Sequence, residues 1–426
     1  MLELKIYNKT AKIAVIGLGT AGLFQSIELA IMGYPVTGVE ISSEKVRLLR
    51  EGKSYVNDIP TKIIHEVIHN CSFYPTSNPE ALKDSDIILV SVPTDVTSDN
   101  IPDLSSIQSA IEMICVHNKC KSLIIIKSTG YPGMTEDYIL PRLSKAKGEV
   151  GIEFYLSFSP ERGDPGNRSF EASAGIPKVI GGVTSKCVDL TVALYEKGGH
   201  KTLKATSTKV AELNKLHENI FRFINISYVN EFANLCYGLN IDPFEVIELS
   251  SSKPYGFMPF YPGPGIGGMY LPVNPSYLLS TAKRLGIPSD ILESAILVNN
   301  NMHMSVLSRV NIILDQLKMT YSDARIAILG VGYKKDSNDT RNSPAIPLIK
   351  ELDKRRAKIT IIDPNINEIE IGGKVFLSHE LNNNILSISD VIIIMNNYSN
   401  LPVDKLMIYK NKIVDTKGIL RKLSQV

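Results

Sequence analysis

The chain has 426 residues, 44% of them apolar and 21% charged, with a formal net charge of +2. That length exceeds a single hydrophobic core, so two or three domains are expected, and near-neutrality removes any electrostatic case for nucleic acid or an anionic membrane as partner. Five scattered cysteines without C-x-x-C spacing, an N-terminus lacking a signal-like apolar core, and no run near the ~18 apolar residues of a membrane span lead to the expectation of a reduced, soluble, cytoplasmic protein without a metal site.

In chain order, Lys12 to Gly22 reads as an apolar strand entering Gly17-x-Gly19-x-x-Gly22, followed by a periodic helix, Gly33 and a second strand ending at Glu40. Each glycine meets a different physical need. Gly17 allows the tight turn, Gly19 lets backbone approach a pyrophosphate, and Gly22 lets the helix pack closely on the strand. Glu40, 18 residues past Gly22, is placed to accept from the hydroxyls of an adenosine ribose and to repel a 2′-phosphate. The expected cofactor is NAD, with Lys45, Pro93, Thr94 and Thr129 joining the glycines and Glu40 in holding it. Further strands are expected at Ile87–Val92, Leu123–Lys127 and Phe154–Phe158. They run into SVPT, STGYPG and SPERGDPGN, turns at the carboxyl ends of strands where ligands bind.

Thr208 to Gly238 reads as one long helix, with Lys215 and Asn219 a turn apart on one face. Its asparagines at 225, 230 and 234 point to buried polar contacts, and apolar residues on more than one face point to packing against another subunit. Asp242-Pro243 opens another helix. Lys253 to Pro275, KPYGFMPFYPGPGIGGMYLPVNP, is too rich in Pro for a helix and too aromatic for a linker. It is expected to close over a ligand, with the backbone at Gly265, Gly267 and Gly268 lying against something bound. From Ala324 the α/β pattern restarts with Gly330-x-Gly332. That turn lacks the third glycine and is followed by Lys334 and Arg341, a setting better suited to substrate phosphates than to a second NAD.

These segments together resemble the UDP-glucose/GDP-mannose dehydrogenase family over nearly the whole chain, nearest in wording to its UDP-N-acetylglucosamine 6-dehydrogenase branch. The carrying motifs are IGLGTAG, SVPT, KSTGYPGMT, FSPERGDPGN, IPKVIGG, AELNKLHENIFRFINISYVNE, KPYGFMPFYPGPGIGG and GYKKDSNDTRNSPA. The resemblance implies an α/β fold in which two Rossmann-like parallel-sheet domains (1–205 and 320–426) flank a central all-helical domain (206–319) with a long connecting helix. It also implies a homodimer or higher oligomer, and a UDP-sugar substrate held partly by the last domain.

By position, the resemblance gives Thr129 and Glu161 the handling of catalytic water and sugar, Lys215 the developing oxyanion, and Asn219 a companion hydrogen bond. Arg162, Phe257, Phe260, Tyr261, Gly265, Gly267, Lys334 and Arg341 are implied in nucleotide-sugar binding. The family oxidises a sugar alcohol twice with two NAD, through a cysteine thioester. Where its motif reads G-x-G-G-H-C-[IL]-P-x-D-P, this chain has Met269 for the histidine, Tyr270 for the cysteine and Asn274 for the aspartate. A phenol with a pKa near 10 is no acyl carrier. Three outcomes remain open: a dehydrogenase without the thioester half-reaction, a redox-neutral epimerase using Tyr270 and Lys215 as acid and base, and a catalytically silent nucleotide-sugar-binding subunit.

Overall fold

The computed structural model of the chain describes residues 1–56, 59–97, 101–163 and 175–423. Its first sheet is built from β1 (Ile13–Ile16), β2 (Val36–Val39), β3 (Phe73–Thr76), β4 (Ile87–Val90), β5 (Leu123–Ile126), β6 (Tyr155–Phe158), β7 (Lys178–Gly182) and β8 (Thr202–Lys204). The strand order is β3-β2-β1-β4-β5-β6-β7-β8, parallel throughout except for the β6–β7 pair. Every residue of β1, β4, β5 and β6 is buried. Helices cover both faces of a parallel sheet, which is why these strands read as unbroken Val/Ile/Leu runs rather than alternating ones.

In-register pairing of Ile13 with Val36 and with Ile87, and of Ile87 with Leu123, ends β1, β4 and β5 at the same edge. Strand order reverses there between β1 and β4. Such a switch point opens the crevice that binds ligands in open α/β sheets.

The second sheet comprises β9 (Arg325–Leu329), β10 (Lys358–Ile362), β13 (Val391–Ile394) and β14 (Ile413–Asp415) in the parallel order β10-β9-β13-β14, and β11 (Glu368–Ile371) pairs antiparallel with β12 (Lys374–Leu377). Along the chain, the helices Thr208–Gly238, Pro243–Ser251, Asn274–Leu285 and Asp290–Leu317 come after the first sheet and before the second. Asp242 caps the second of these, accepting from the Phe244 amide at 3.0 Å, with Pro243 in the first turn as the sequence implied.

By compactness the chain forms two units, residues 1–218 with 276–286, and residues 219–275 with 287–426. The expected central helical segment is thus shared between them. The division passes through the long helix, whose first three turns are bonded into the loops of the first sheet.

Candidate active site

The dinucleotide motif is built as its glycines require. Gly17 has a φ of +89°, and a Cβ there would stand 2.5 Å from the Ser91 carbonyl oxygen; one on Gly22 would stand 1.8 Å from the Gly17 carbonyl oxygen. A Cβ on Gly19 meets nothing within 4 Å. Two of the glycines therefore serve the chain's own packing, and the third faces open space. The helix Thr20–Ile31 starts there with no side-chain cap, leaving its first amides available to an anion. This arrangement fits a dinucleotide pyrophosphate.

Glu40, buried at the end of β2, accepts the Leu18 amide at 2.9 Å and the Ser42 amide at 3.1 Å, and Lys45 Nζ lies 3.9 Å from it. One bond to each oxygen leaves lone pairs free for a diol. Tyr55, over whose ring Lys45 lies at 5.5 Å, donates to the Leu18 carbonyl. Pro93 is exposed and Thr94 buried in the turn after β4, where Tyr277 donates to the Asp95 carbonyl at 3.3 Å.

The second glycine turn is built differently. A Cβ on Gly332 would sit 2.4 Å from the Ser337 carbonyl oxygen, and the amides of Val331 and Gly332 both donate to Asp363 at 2.8 and 3.1 Å. The helix that follows begins only at Ala345. The space that stays open at Gly19 in the first turn is here taken by the Ser337 carbonyl.

The first half of the long helix is tied to two turns of the first sheet. Glu212, fully buried, accepts from the amides of Gly133 and Thr135 at 2.6 and 2.8 Å and from the Thr135 hydroxyl at 2.6 Å. Burial dominates and pushes its pKa up to about 7, although these hydrogen bonds favour the carboxylate. Glu218 takes Arg162 at 2.6 Å, and Arg162 also donates to the Pro177 carbonyl at 2.9 Å. Arg162, implied in substrate binding, also braces the helix against the loop after β6. Lys215 lies between these two anchor points, and buried Thr129 lies in the turn tied by Glu212. Asp164, one of the charged cluster in SPERGDPGN, lies outside the described residues.

Glu161 accepts from the Gln25 side-chain amide at 3.0 Å and from the Gly163 amide at 2.7 Å. Behind it lies a buried cluster. Gln25 also donates to Glu28 at 3.1 Å, and Glu28 is met by Lys178 at 3.6 Å and His200 at 3.1 Å. Burial alone would raise the Glu28 pKa, but the neighbouring His200 and the Lys178 charge outweigh it and hold the carboxyl below its usual value.

In the second unit, the glycines of the Lys253–Pro275 loop approach the chain's own residues. A Cβ on Gly267 would stand 2.8 Å from both the Asn342 carbonyl oxygen and Tyr333 Cβ. One on Gly268, whose φ is +94°, would stand 2.8 Å from the Tyr333 ring, and one on Gly265 would stand 3.3 Å from Pro344. These glycines therefore also serve packing within the unit, where their close neighbour is the turn after β9. Gly268 donates to the Arg341 carbonyl at 3.0 Å and accepts from Asn342 at 3.0 Å.

Arg341 pairs with Asp339, which holds the Asp339 carboxyl low against the opposing effect of burial, and Arg341 also donates to Met269 Sδ at 3.5 Å. Half-buried Tyr270 lies in the field of Arg341, and its carbonyl accepts the Asn274 amide at 2.9 Å. The side-chain nitrogens of Asn274 and Asn219 are buried without a partner. Phe257 and Tyr261 are exposed, Phe260 is half-buried edge-on to Phe221, and Lys334 is half-buried. The helix asparagines divide: Asn230 is buried and accepts the Gly263 amide at 2.8 Å, whereas Asn225 and Asn234 bond near the surface.

Sequence reading missed Gln25, Glu28, Glu212 and Asp363. A glutamine and a glutamate three apart in the otherwise apolar TAGLFQSIELAI were the one local signal; the others are ordinary residues until their partners are known.

Family models for the UDP-glucose/GDP-mannose dehydrogenase family match all three segments: the NAD-binding domain at residues 11–198, the central domain at 209–301 and the UDP-binding domain at 327–422. The chain is 33% identical over 358 residues to a UDP-N-acetyl-D-mannosamine dehydrogenase of Pyrococcus horikoshii, covering 83% of this chain and 84% of that one. It is 31% identical over 361 residues to a UDP-N-acetyl-D-glucosamine 6-dehydrogenase of Pseudomonas aeruginosa, covering 84% and 83% respectively. A solved structure of the Pyrococcus horikoshii UDP-D-ManNAc dehydrogenase superposes with a TM-score of 0.86 at 30% identity over 96% of each chain. The fold and the first glycine turn define an NAD-dependent oxidoreductase. The chain belongs to the UDP-glucose/GDP-mannose dehydrogenase family, and it is an enzyme of the nucleotide-sugar dehydrogenase kind that uses NAD.

Proposed function

We propose that the protein oxidises a hydroxyl of a UDP-N-acetylhexosamine to the carbonyl level and lacks the thioester half-reaction. The observation that carries this reading is the pairing of an open dinucleotide turn at Gly19 with a loop that has no cysteine between Gly265 and Pro275. The five cysteines stand at 71, 115, 120, 187 and 236; Cys187 and Cys236 are buried, and Cys187 lies against β6. The relatives' names supply the substrate class: they are dehydrogenases of UDP-N-acetyl-mannosamine and -glucosamine.

NAD, when bound, accepts the hydride from the sugar carbon. The chain's residues do the rest. The amides that follow Gly19 hold the pyrophosphate, and Glu40 holds the ribose. The Lys215 ammonium stabilises negative charge growing on the sugar oxygen as its proton leaves. Thr129 and Glu161 hold the sugar or a water, and Asn219 and Asn274 offer unpaired amide donors. Lys334 and the loop aromatics Phe257, Phe260 and Tyr261 hold the nucleotide sugar, while the long helix of one copy packs on a second. Phe221, Tyr228 and Leu235 recur every seven residues along that helix and are 45%, 67% and 61% exposed, an apolar stripe that a homodimer covers.

A second reading rests on a phenol, Tyr270, standing where the family motif has its cysteine: in a redox-neutral epimerase Tyr270 and Lys215 would serve as acid and base. The deciding measurement is NADH formed per UDP-N-acetylglucosamine consumed, with products identified by NMR. One equivalent with an aldehyde is expected. Two with an acid restores the family reaction, none with an altered sugar gives the epimerase, and binding without any product gives a silent subunit.

A further inference from the structure

We propose that Gln25 is a positioning residue for the Glu161 carboxylate, a role that rests on reading Glu161 as a group that handles sugar or water. Gln25 belongs to the helix Thr20–Ile31, whose first turn faces the dinucleotide site, and its side chain is fully buried. Its amide nitrogen carries two hydrogens, and both are placed: one on Glu161 Oε2 at 3.0 Å, the other on Glu28 Oε2 at 3.1 Å. Glu28 is itself held from behind by Lys178 at 3.6 Å and His200 at 3.1 Å. The remaining Glu161 oxygen takes the Gly163 amide at 2.7 Å. One carboxylate oxygen is thus fixed by its own turn and the other by the cofactor helix.

Stability alone does not account for this cluster. Lys127, which donates to the Tyr195 hydroxyl at 3.1 Å, and Lys178 both lie over the Tyr195 ring, at 5.2 and 5.7 Å. With Glu28 and His200, they put four ionisable side chains 4–7% exposed around one aromatic ring. Each buried ion is costly to desolvate, and well-packed apolar residues of similar volume often serve stability equally well. Gln25, Glu28, Lys178 and His200 are buried, and Glu161 is half-buried. Because Gln25 sits on the helix that begins at Gly19, seating the dinucleotide and aiming Glu161 depend on one rigid element.

The test uses the full-length protein, NAD and UDP-N-acetylglucosamine, with Gln25→Leu, Glu161→Gln and the double variant. Gln25→Met, equally long and without a donor, is the second choice if the leucine variant does not fold. A fall in kcat of roughly tenfold or more is expected for Gln25→Leu, with KM for NAD nearly unchanged. In the Glu161→Gln background the same change should cost nothing further, because the two act as a unit. Equal losses in both backgrounds, or no loss in either, overturn the proposal.

Glu161→Gln at the wild-type rate removes the reading of Glu161, and this inference with it. An impaired Glu161→Gln beside a normal Gln25→Leu removes only the inference. A readout independent of turnover is the 13C resonance of the Glu161 carboxyl, which Gln25→Leu should move; an unmoved resonance also overturns the proposal.

Discussion

Glu212 on the long helix accepts both the amide and the hydroxyl of Thr135, at 2.8 and 2.6 Å, and so joins that helix to the turn carrying Thr129. The carboxyl is fully buried, and burial raises its pKa to about 7 from the ordinary 4.5. The folded state therefore holds this proton more tightly than the unfolded state. Its stabilising contribution is complete below about pH 4.5 and is lost as pH rises through about 7, at a slope of up to about 1.4 kcal/mol per pH unit. Glu212→Gln mimics the protonated form and should remove that slope. Urea denaturation of both proteins between pH 4.5 and 8 checks it; parallel stability curves would show that Glu212 does not titrate in this range.

Gly19 and Gly22 should fail in different ways. Gly22→Ala places a methyl 1.8 Å from the Gly17 carbonyl oxygen, and the backbone has to move, so stability should fall by a few kcal/mol. Gly19→Ala meets nothing in the protein, so the melting temperature should hold while NAD affinity falls at least tenfold. Calorimetric titration with NAD beside thermal denaturation separates the two. Full NAD affinity in Gly19→Ala would place the pyrophosphate elsewhere.

Gly268→Ala carries two costs, a φ of +94° and a methyl 2.8 Å from the Tyr333 ring. A loss of roughly 1–3 kcal/mol is expected, and Tyr333→Ala in the same chain should recover only the steric share. Full recovery in the double variant would mean that the backbone at 268 carries no strain.

Tyr270→Cys alone should raise acid formation little, because Met269 and Asn274 also depart from the family motif. Restoring all three, Met269→His, Tyr270→Cys and Asn274→Asp, should move the yield from one NADH per sugar toward two. A triple variant that still yields one equivalent would place the limitation outside this loop.

Local patterns were legible where a residue's role depends on near neighbours in the chain. The unbroken apolar runs of β1, β4 and β5, the long helix from Thr208 to Gly238 and the Pro243 helix start all follow from periodicity and backbone chemistry. So does the difference between the two glycine turns, since the second lacks its third glycine. The two turns still needed structure to be told apart physically: space is open at Gly19, and the Ser337 carbonyl fills it at Gly332.

The sequence by itself determined the α/β architecture, the NAD turn and the family, because those rest on spacing within some 30 residues and on ordered motifs. Tertiary structure alone decided that Arg162 braces Glu218, that the loop glycines lie on Tyr333, and that Glu161 is held by Gln25 across 136 positions of chain. Hydrogen-bond capacity is written in each residue, but the partner that uses it is chosen only when distant strands and helices are brought together.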